Sequence, residues 1–536
     1  MTLRFRRLWL LAGLAGALAS SAAAADDPLG KDPAGRLSSP LYRMARLVER
    51  GEPLSSETLR TARAGLRYLD PATGTVTAIA ILEEGADPDR FVRLVTANGG
   101  RVSGIAENLV RVHLPPKALQ RLSRDGDVRF LKLPDRPRPL ELTSEGIHMI
   151  RAPEFIARTG ADGAGVRVGI LDGTSFESAR SLVGSELPDN TIFTDSVGDG
   201  EGRHGTACAE LVHDVAPGAQ LVLASVSDEV GFLKAVNLLL DQDVRIISAS
   251  IAWPNSTAPD GSGYYAYYVN RFAARALWVN AAGNSSNSYV RGPAADADGD
   301  GQLEIKDREM VPLHVYRGEG AVSLSWNEAS GYAAEDYDLL VVTDAFRNDP
   351  RPTADNPAVI GTSTDKQDGR GYPFEYVEFT SDNDRDLYAV VVSRGPKPTQ
   401  YRKFSIWVDG YVLEGLADAA GSIEPPADAS GAVAVAAIEV GTDTLRGYSS
   451  RGPTDDGRVK PDVAGPDGVS SRSYRLFTGT SAATPHVAGA AALLLSRNPS
   501  LTLTQLRDAL ELATASHRTN KNNDVGYGLV NLDLVP

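Results

Sequence analysis

Apolar and polar residues along this chain follow four successive patterns, and each predicts a different architecture. Leu8 to Leu18 form an unbroken apolar stretch behind Arg4, Arg6 and Arg7. From 75 to 133, runs of β-formers (75–82, 101–105, 109–114 and 128–133) are interleaved with two helical segments. The first helix is opened by Asp87-Pro88 and carries Phe91, Leu94 and Val95 on one face; the second is opened by Pro115-Pro116. The order β-α-β-β-α-β predicts a ferredoxin-like α+β unit. Farther on, continuous apolar runs at 166–171, 221–226, 244–251, 277–281 and 432–438 read as strands buried on both faces, with a helical crossover at 232–240. They predict an α/β domain whose parallel sheet is flanked by helices. Between 294 and 423 the pattern changes to short alternating runs (322–326, 339–343, 376–379, 387–392, 404–408) joined by turn-rich loops. That is the signature of an all-β sandwich inserted into the α/β domain, which splits into 142–293 and 424–536.

The most informative stretch lies in the second part of that domain. Residues 479–489, GTSAATPHVAG, set Ser481 at the start of a long apolar helix that Asn498-Pro499 ends, with Pro485 suited to its first turn. At that place free backbone N–H groups and the positive end of the helix dipole favour an anion beside the hydroxyl. The run resembles the nucleophile signature of the subtilases, the subtilisin-like serine peptidases. Two further segments resemble the family's other motifs: a strand ending in Asp172, and His204 at a Gly-bracketed turn before a helix. The order Asp172, His204, Ser481 is that of subtilisin, not of chymotrypsin or the α/β-hydrolases. Serine needs a base to take its proton, and the base needs a carboxylate to fix its tautomer. One departure is the order Gly173-Thr174 after Asp172, where the family has Ser or Thr before Gly.

The resemblance implies more. The segment ending Gly283-Asn284 looks like the family's oxyanion-hole strand, which makes Asn284 the side-chain donor to the developing oxyanion. Ser250, Ile251 and Ala252 look like the edge that pairs with an extended substrate, although Ala252-Trp253 stands where Gly-Gly is common. The 75–133 unit is similar to the inhibitory propeptide, with 26–74 as a leading pro-segment and 134–141 as the linker where maturation would cut. The sandwich looks like the small PPC-type domain of secreted peptidases. His486 matches a signature histidine that is not the base.

Composition narrows the partners. A net charge of −15 argues against nucleic acid or an anionic membrane surface, and one cysteine excludes an internal disulfide framework. Residues 1–25, with Ala22-Ala23-Ala24 as a cleavage site, read as a signal peptide, so the expected protein is secreted, extracellular or periplasmic, without a transmembrane anchor. At the head of the insertion, Asp296, Asp298, Asp300, Gln302 and Asp307 have the spacing of a calcium loop, with Gly301 sixth, which predicts structural Ca2+; no organic cofactor is expected. The expectation is a secreted serine endopeptidase made as a self-inhibited zymogen, with protein or peptide substrates. The rival from another class is a catalytically inactive, peptide-binding homologue.

Overall fold

The computed structural model describes residues 32–55, 58–59, 69–70, 73–135, 138–139, 146–194, 196, 198, 202–353, 355–395, 397–399, 401–514 and 520–535. The signal peptide expected over 1–25 lies outside them.

The central sheet has seven strands, all parallel, in the order Val463–Asp467, Ala432–Glu439, Leu277–Ala281, Ile246–Ala249, Arg167–Asp172, Gln220–Ser225, Ile192–Phe193. Its apolar runs are continuous because successive side chains serve opposite faces. Val168, Ile170, Leu221, Leu223 and Val279 pack against the helices His204–Val215 and Thr480–Arg497. Val222, Ala224, Ile247 and Trp278 face Phe232 and Leu239 of Glu229–Asp241 and Val269 of Tyr264–Phe272. Asp172 ends a central strand and Asn284 follows the end of its near neighbour, so both stand at the carboxyl edge of the sheet. Ligands of open α/β sheets bind at that edge.

The helices beginning at His204 and Thr480 cross with Gly489 against Val215. A Cβ on Gly489 would lie 2.6 Å from Val215 Cβ and 2.7 Å from its Cγ1, closer than atoms can approach.

Two further units frame this domain. Residues 75–132 form an antiparallel sheet in which Thr75–Leu82 lies between Val128–Lys132 and Leu109–Leu114, with Arg101–Ala106 outermost. Its core reaches back before residue 75: Leu41, Met44 and Ala45 of the helix Ser39–Glu49 pack on Leu119 and Leu122. Its other face covers the catalytic-domain helices, with Ile79, Ile81, Leu109 and Phe130 around Val230, and with ion pairs Arg111–Asp228 and Lys132–Glu229. The insertion has two five-stranded sheets around Trp326, Tyr337, Leu339, Phe404 and Ile406. Its first strand is Tyr289–Ala295, so the sandwich starts a few residues earlier than the pattern suggests. It also touches the N-terminal unit: Asp365 accepts from Ser39 Oγ at 2.7 Å, and Thr362 Oγ1 from Arg43 at 3.0 Å.

Gly489→Ala should destabilise the protein by about 1–3 kcal/mol in urea unfolding, because the added methyl must push the helices apart. Gly447→Ala, with open space around its Cβ position, should stay within about 0.5 kcal/mol. Equal midpoints for the two variants would contradict this packing.

Candidate active site

Asp172 is fully buried and uses both carboxylate oxygens. Oδ2 accepts from His204 Nδ1 at 2.6 Å, while Oδ1 accepts from the backbone N–H and the hydroxyl of Thr174, at 2.9 and 2.7 Å. Thr174 Oγ1 in turn accepts from the N–H of Gly205, at 3.0 Å. The inverted Gly173-Thr174 order therefore keeps the carboxylate clamped: a hydroxyl two positions on ties it to the helix of its histidine. Sequence reading recorded that order only as a departure. With Nδ1–H given to Asp172, the neutral imidazole has Nε2 as its basic atom. Phe477 packs against the ring edge-on, 5.4 Å between centroids.

Ser481 is the second residue of its helix, so its N–H has no partner one turn back. Its Oγ is buried and makes no hydrogen bond. Catalytic hydrogen bonds of this kind are commonly loose before substrate binds. Pro485 lies inside the helix, past the first turn that the sequence suggested for it. Having no N–H, it cannot bond the carbonyl four residues earlier, and that carbonyl belongs to Ser481. Ser250 Oγ donates to it at 2.9 Å and Cys208 Sγ at 3.7 Å. The nucleophile's backbone is thus tied to the histidine's helix and to the strand expected to hold substrate. Ser250 serves the serine's backbone, while Ile251 and Ala252 carry the strand edge.

Asn284 is held against Thr480, the residue that precedes Ser481. Its Oδ1 accepts from Thr480 N at 2.9 Å and from Thr480 Oγ1 at 3.1 Å, which turns the Nδ2 donor the other way. The next residue is braced from below. Ser285 Oγ donates to Glu424 and accepts from Trp407 Nε1 at 3.0 Å, which joins the oxyanion loop to the sandwich. Burial pushes the Glu424 carboxyl up to about 8. Thr174 and Thr480 stand inside the quoted motifs without a role of their own there, while Ser285 and Glu424 carry no sequence pattern, because tertiary approach alone gives them partners.

Cys208 brings its sulfur within 4.8 Å of ligand atoms of Asp172 and His204, a grouping that could in principle hold a metal. Both Asp172 oxygens are already engaged, and burial pushes the thiol well above its ordinary value. A neutral thiol there is a packing group and a weak donor. His486 is also excluded as base: it is buried, its Nδ1 bonds the Ala482 carbonyl at 2.7 Å, and burial lowers it to about 4.

In the acidic loop, carboxylate atoms of Asp296, Asp298 and Asp300 lie within 4.8 Å of one another, and Asp298 groups likewise with Glu304 and Glu309. Asp307 belongs to neither group. The chain turns back at Lys306 and Asp307, with φ of 53° and 59°, instead of entering the helix that carries the twelfth ligand of an EF-hand. Gln302 bonds Asp300 through its side-chain amide, at 2.7 Å. Burial, then the neighbouring Asp300 and Asp298, push the Glu309 carboxyl up. Lys397 Nζ lies 3.7 Å from Asp296.

Ser250→Ala and Cys208→Ala should each cost about 1 kcal/mol of stability, since either donor alone still serves the Ser481 carbonyl. The double variant should cost more than the sum, by about 1–2 kcal/mol, because the buried carbonyl is then orphaned. Strict additivity in urea unfolding would mean the two side chains do not share that acceptor.

Residues 313–528 match the model of the subtilase family, a span that takes in Ser481 but not Asp172, His204 or Asn284. Serine protease AprX of Bacillus subtilis is 36% identical over 17% of this chain and 25% of its own length. Subtilisin amylosacchariticus of Bacillus subtilis subsp. amylosacchariticus is 37% identical over 22% of this chain and 30% of its own. The chain thus spans between a quarter and a third of these relatives. The solved Clostridium perfringens CspB protease aligns over 72% of this chain and 97% of its own, at 17% identity and a TM-score of 0.49. The subtilase segment and the subtilisin relatives together support a subtilisin-like serine peptidase at the level of the family.

Proposed function

We propose that the chain is a secreted serine endopeptidase that is made as a self-inhibited zymogen. The observation that carries this reading is the meeting of three parts: the Asp172–His204 hydrogen bond, Ser481 in the first turn of a buried helix, and a strand laid across the site. That strand is Arg138–Pro139, antiparallel to Ile251–Ala252. An extended substrate would pair with the same edge. Ser481 Oγ then attacks the peptide carbonyl while His204 Nε2 takes its proton. The oxyanion forms between the Ser481 N–H and Asn284 Nδ2. The imidazolium, stabilised by Asp172, returns the proton to the leaving amine. Water repeats the sequence on the acyl-enzyme.

Latency follows from the same geometry. The 75–132 sheet buries Val230 and pairs Arg111 and Lys132 with Asp228 and Glu229, and Arg138–Pro139, a few residues on in sequence, lies on Ile251–Ala252. A peptide already in the substrate's place supports a role for the N-terminal unit as the chain's own inhibitor. Calcium, if bound, would be held by Asp296, Asp298 and Asp300 or by Asp298, Glu304 and Glu309, where it would neutralise repelling carboxylates and stiffen the head of the sandwich. Among the described residues no helix is long and apolar enough to cross a membrane. Export rests on residues 1–25. The inactive, peptide-binding alternative is disfavoured because every group the chemistry needs is present.

Ser481→Ala and His204→Ala should each reduce casein hydrolysis by about 10⁴-fold or more, and the double variant by little more, since the residues act as a unit. Ser481→Ala should also accumulate as the full-length precursor. Normal hydrolysis by either variant would overturn the reading, and normal maturation of Ser481→Ala would assign the cut to another peptidase.

A further inference from the structure

Four residues, Ser285 to Ser288, separate Asn284 from Tyr289, where the sandwich begins. The insertion thus hangs directly on the residue assigned to the oxyanion, and both domains grip the short loop between them. From the catalytic side, Gly283 N–H donates to Thr480 Oγ1 at 3.2 Å and Ser285 N–H to Ser450 Oγ at 3.0 Å. From the sandwich, the N–H groups of Val408 and Val412 donate to the carbonyls of Ser288 and Asn287, at 3.1 and 2.8 Å. Ser288 Oγ donates in return to the Gly410 carbonyl at 2.8 Å. Little slack remains: a Cβ on Gly283 would lie 2.7 Å from both Glu424 Cδ and Ser450 Oγ.

Trp407 reaches into this loop from the sandwich. It lies on the strand Lys403–Val408, paired with Tyr289 on one side and Ser323 on the other, and its indole packs with Tyr289 and Ala321. The ladder therefore fixes where Nε1 points, and Nε1 donates to Ser285 Oγ at 3.0 Å. An indole N–H can only donate, so it fills an acceptor position of the hydroxyl and turns the Ser285 proton to Glu424. All three side chains are buried, and the Ser285 hydroxyl is held from both sides. Asn284 is the next residue. A donor stabilises an oxyanion only when it is held ready at about 2.7–3.1 Å from it, so a small displacement costs rate while leaving substrate binding intact.

We propose that Trp407 is a positioning residue for catalysis: through Ser285 it holds Asn284 in place for the oxyanion, which makes the inserted sandwich a working part of the oxyanion hole. The proposal rests on the peptidase reading of Ser481 and Asn284 and extends it to a residue more than a hundred positions away in sequence.

The test compares three ligands of one peptide sequence on the matured protein: an anilide substrate, an aldehyde, and the product peptide with a free carboxylate. The aldehyde adds the Ser481 hydroxyl to give a hemiacetal whose oxygen takes the oxyanion's place, whereas the product peptide reports ground-state binding. Trp407→Phe removes the N–H and keeps most of the apolar contact. It should lower kcat about fivefold and weaken the aldehyde by the same factor, with KM and product affinity unchanged. Ser285→Cys, close in volume and a poor hydrogen-bonding partner, should do the same, and it decides the matter if Trp407→Phe does not fold or mature. In an Asn284→Ala background, Trp407→Phe should have no further effect. An unchanged kcat overturns the proposal. So does a loss shared by product affinity and KM, which is the mark of packing alone, or a fivefold loss that persists without Asn284. If the native protein neither cleaves the anilide nor takes the aldehyde, the peptidase reading falls and the proposal with it; an active native protein with a silent Trp407→Phe overturns the proposal alone.

Discussion

His204 and Ser481, the proposed base and nucleophile, belong to two helices far apart in sequence, and the site depends on how closely those helices approach. Contact is possible because Gly489 presents bare backbone to Val215. Pro485 then frees the Ser481 carbonyl, which Ser250 and Cys208 satisfy from two other elements. A helix defect thus becomes a three-way tie between the serine, the histidine's helix and the substrate edge. The tie is neutral and buried, so it fixes position without adding charge beside the imidazole.

Charge is used sparingly and in fixed places. Asp172 has the one strong partner a buried carboxylate needs for catalysis, His204, and its second oxygen is held by Thr174. Glu424, by contrast, is pushed up to about 8 and so is largely neutral near pH 7; it works as a hydrogen-bond brace beneath Ser285. Ion pairs also lie at the docking face of the N-terminal unit, where Arg111 and Lys132 meet Asp228 and Glu229. Such pairs can be exchanged for water, as the inhibitory role proposed for that unit requires.

Much of this was legible in the sequence where a pattern had a physical period. The strand Leu277–Ala281 has the bounds its apolar run suggests, the run at 166–171 is displaced by one residue at both ends, and that at 432–438 stops one residue short. Val463–Asp467 was not legible, because Gly465-Pro466 reads as a turn. Proline is tolerated since the strand is at the sheet's edge, and glycine is needed because a Cβ there would lie 2.4 Å from the Ala483 carbonyl oxygen of the serine helix. Asp172, His204, Asn284 and Ser481 were marked by motif. Of their supports, Thr174 and Thr480 stood within those motifs but their bonds did not show, and Glu424 was unmarked, an ordinary residue until the fold brings Ser285 near. Asp307 differs in the opposite way: its spacing fits a calcium loop, but the chain turns at Lys306 and Asp307 and its carboxylate joins neither acidic group.

The central claim is that Ser481 is a nucleophile kept covered by the chain that precedes it. Intact-mass analysis after exposure to a fluorophosphonate probe tests this most directly, with full-length His204→Ala as the unreactive control. The full-length precursor should remain almost unlabelled, and the matured protein should gain a single adduct that peptide mapping assigns to Ser481. Equal labelling of precursor and matured protein would contradict the covering strand, and an adduct on any other residue would contradict the site.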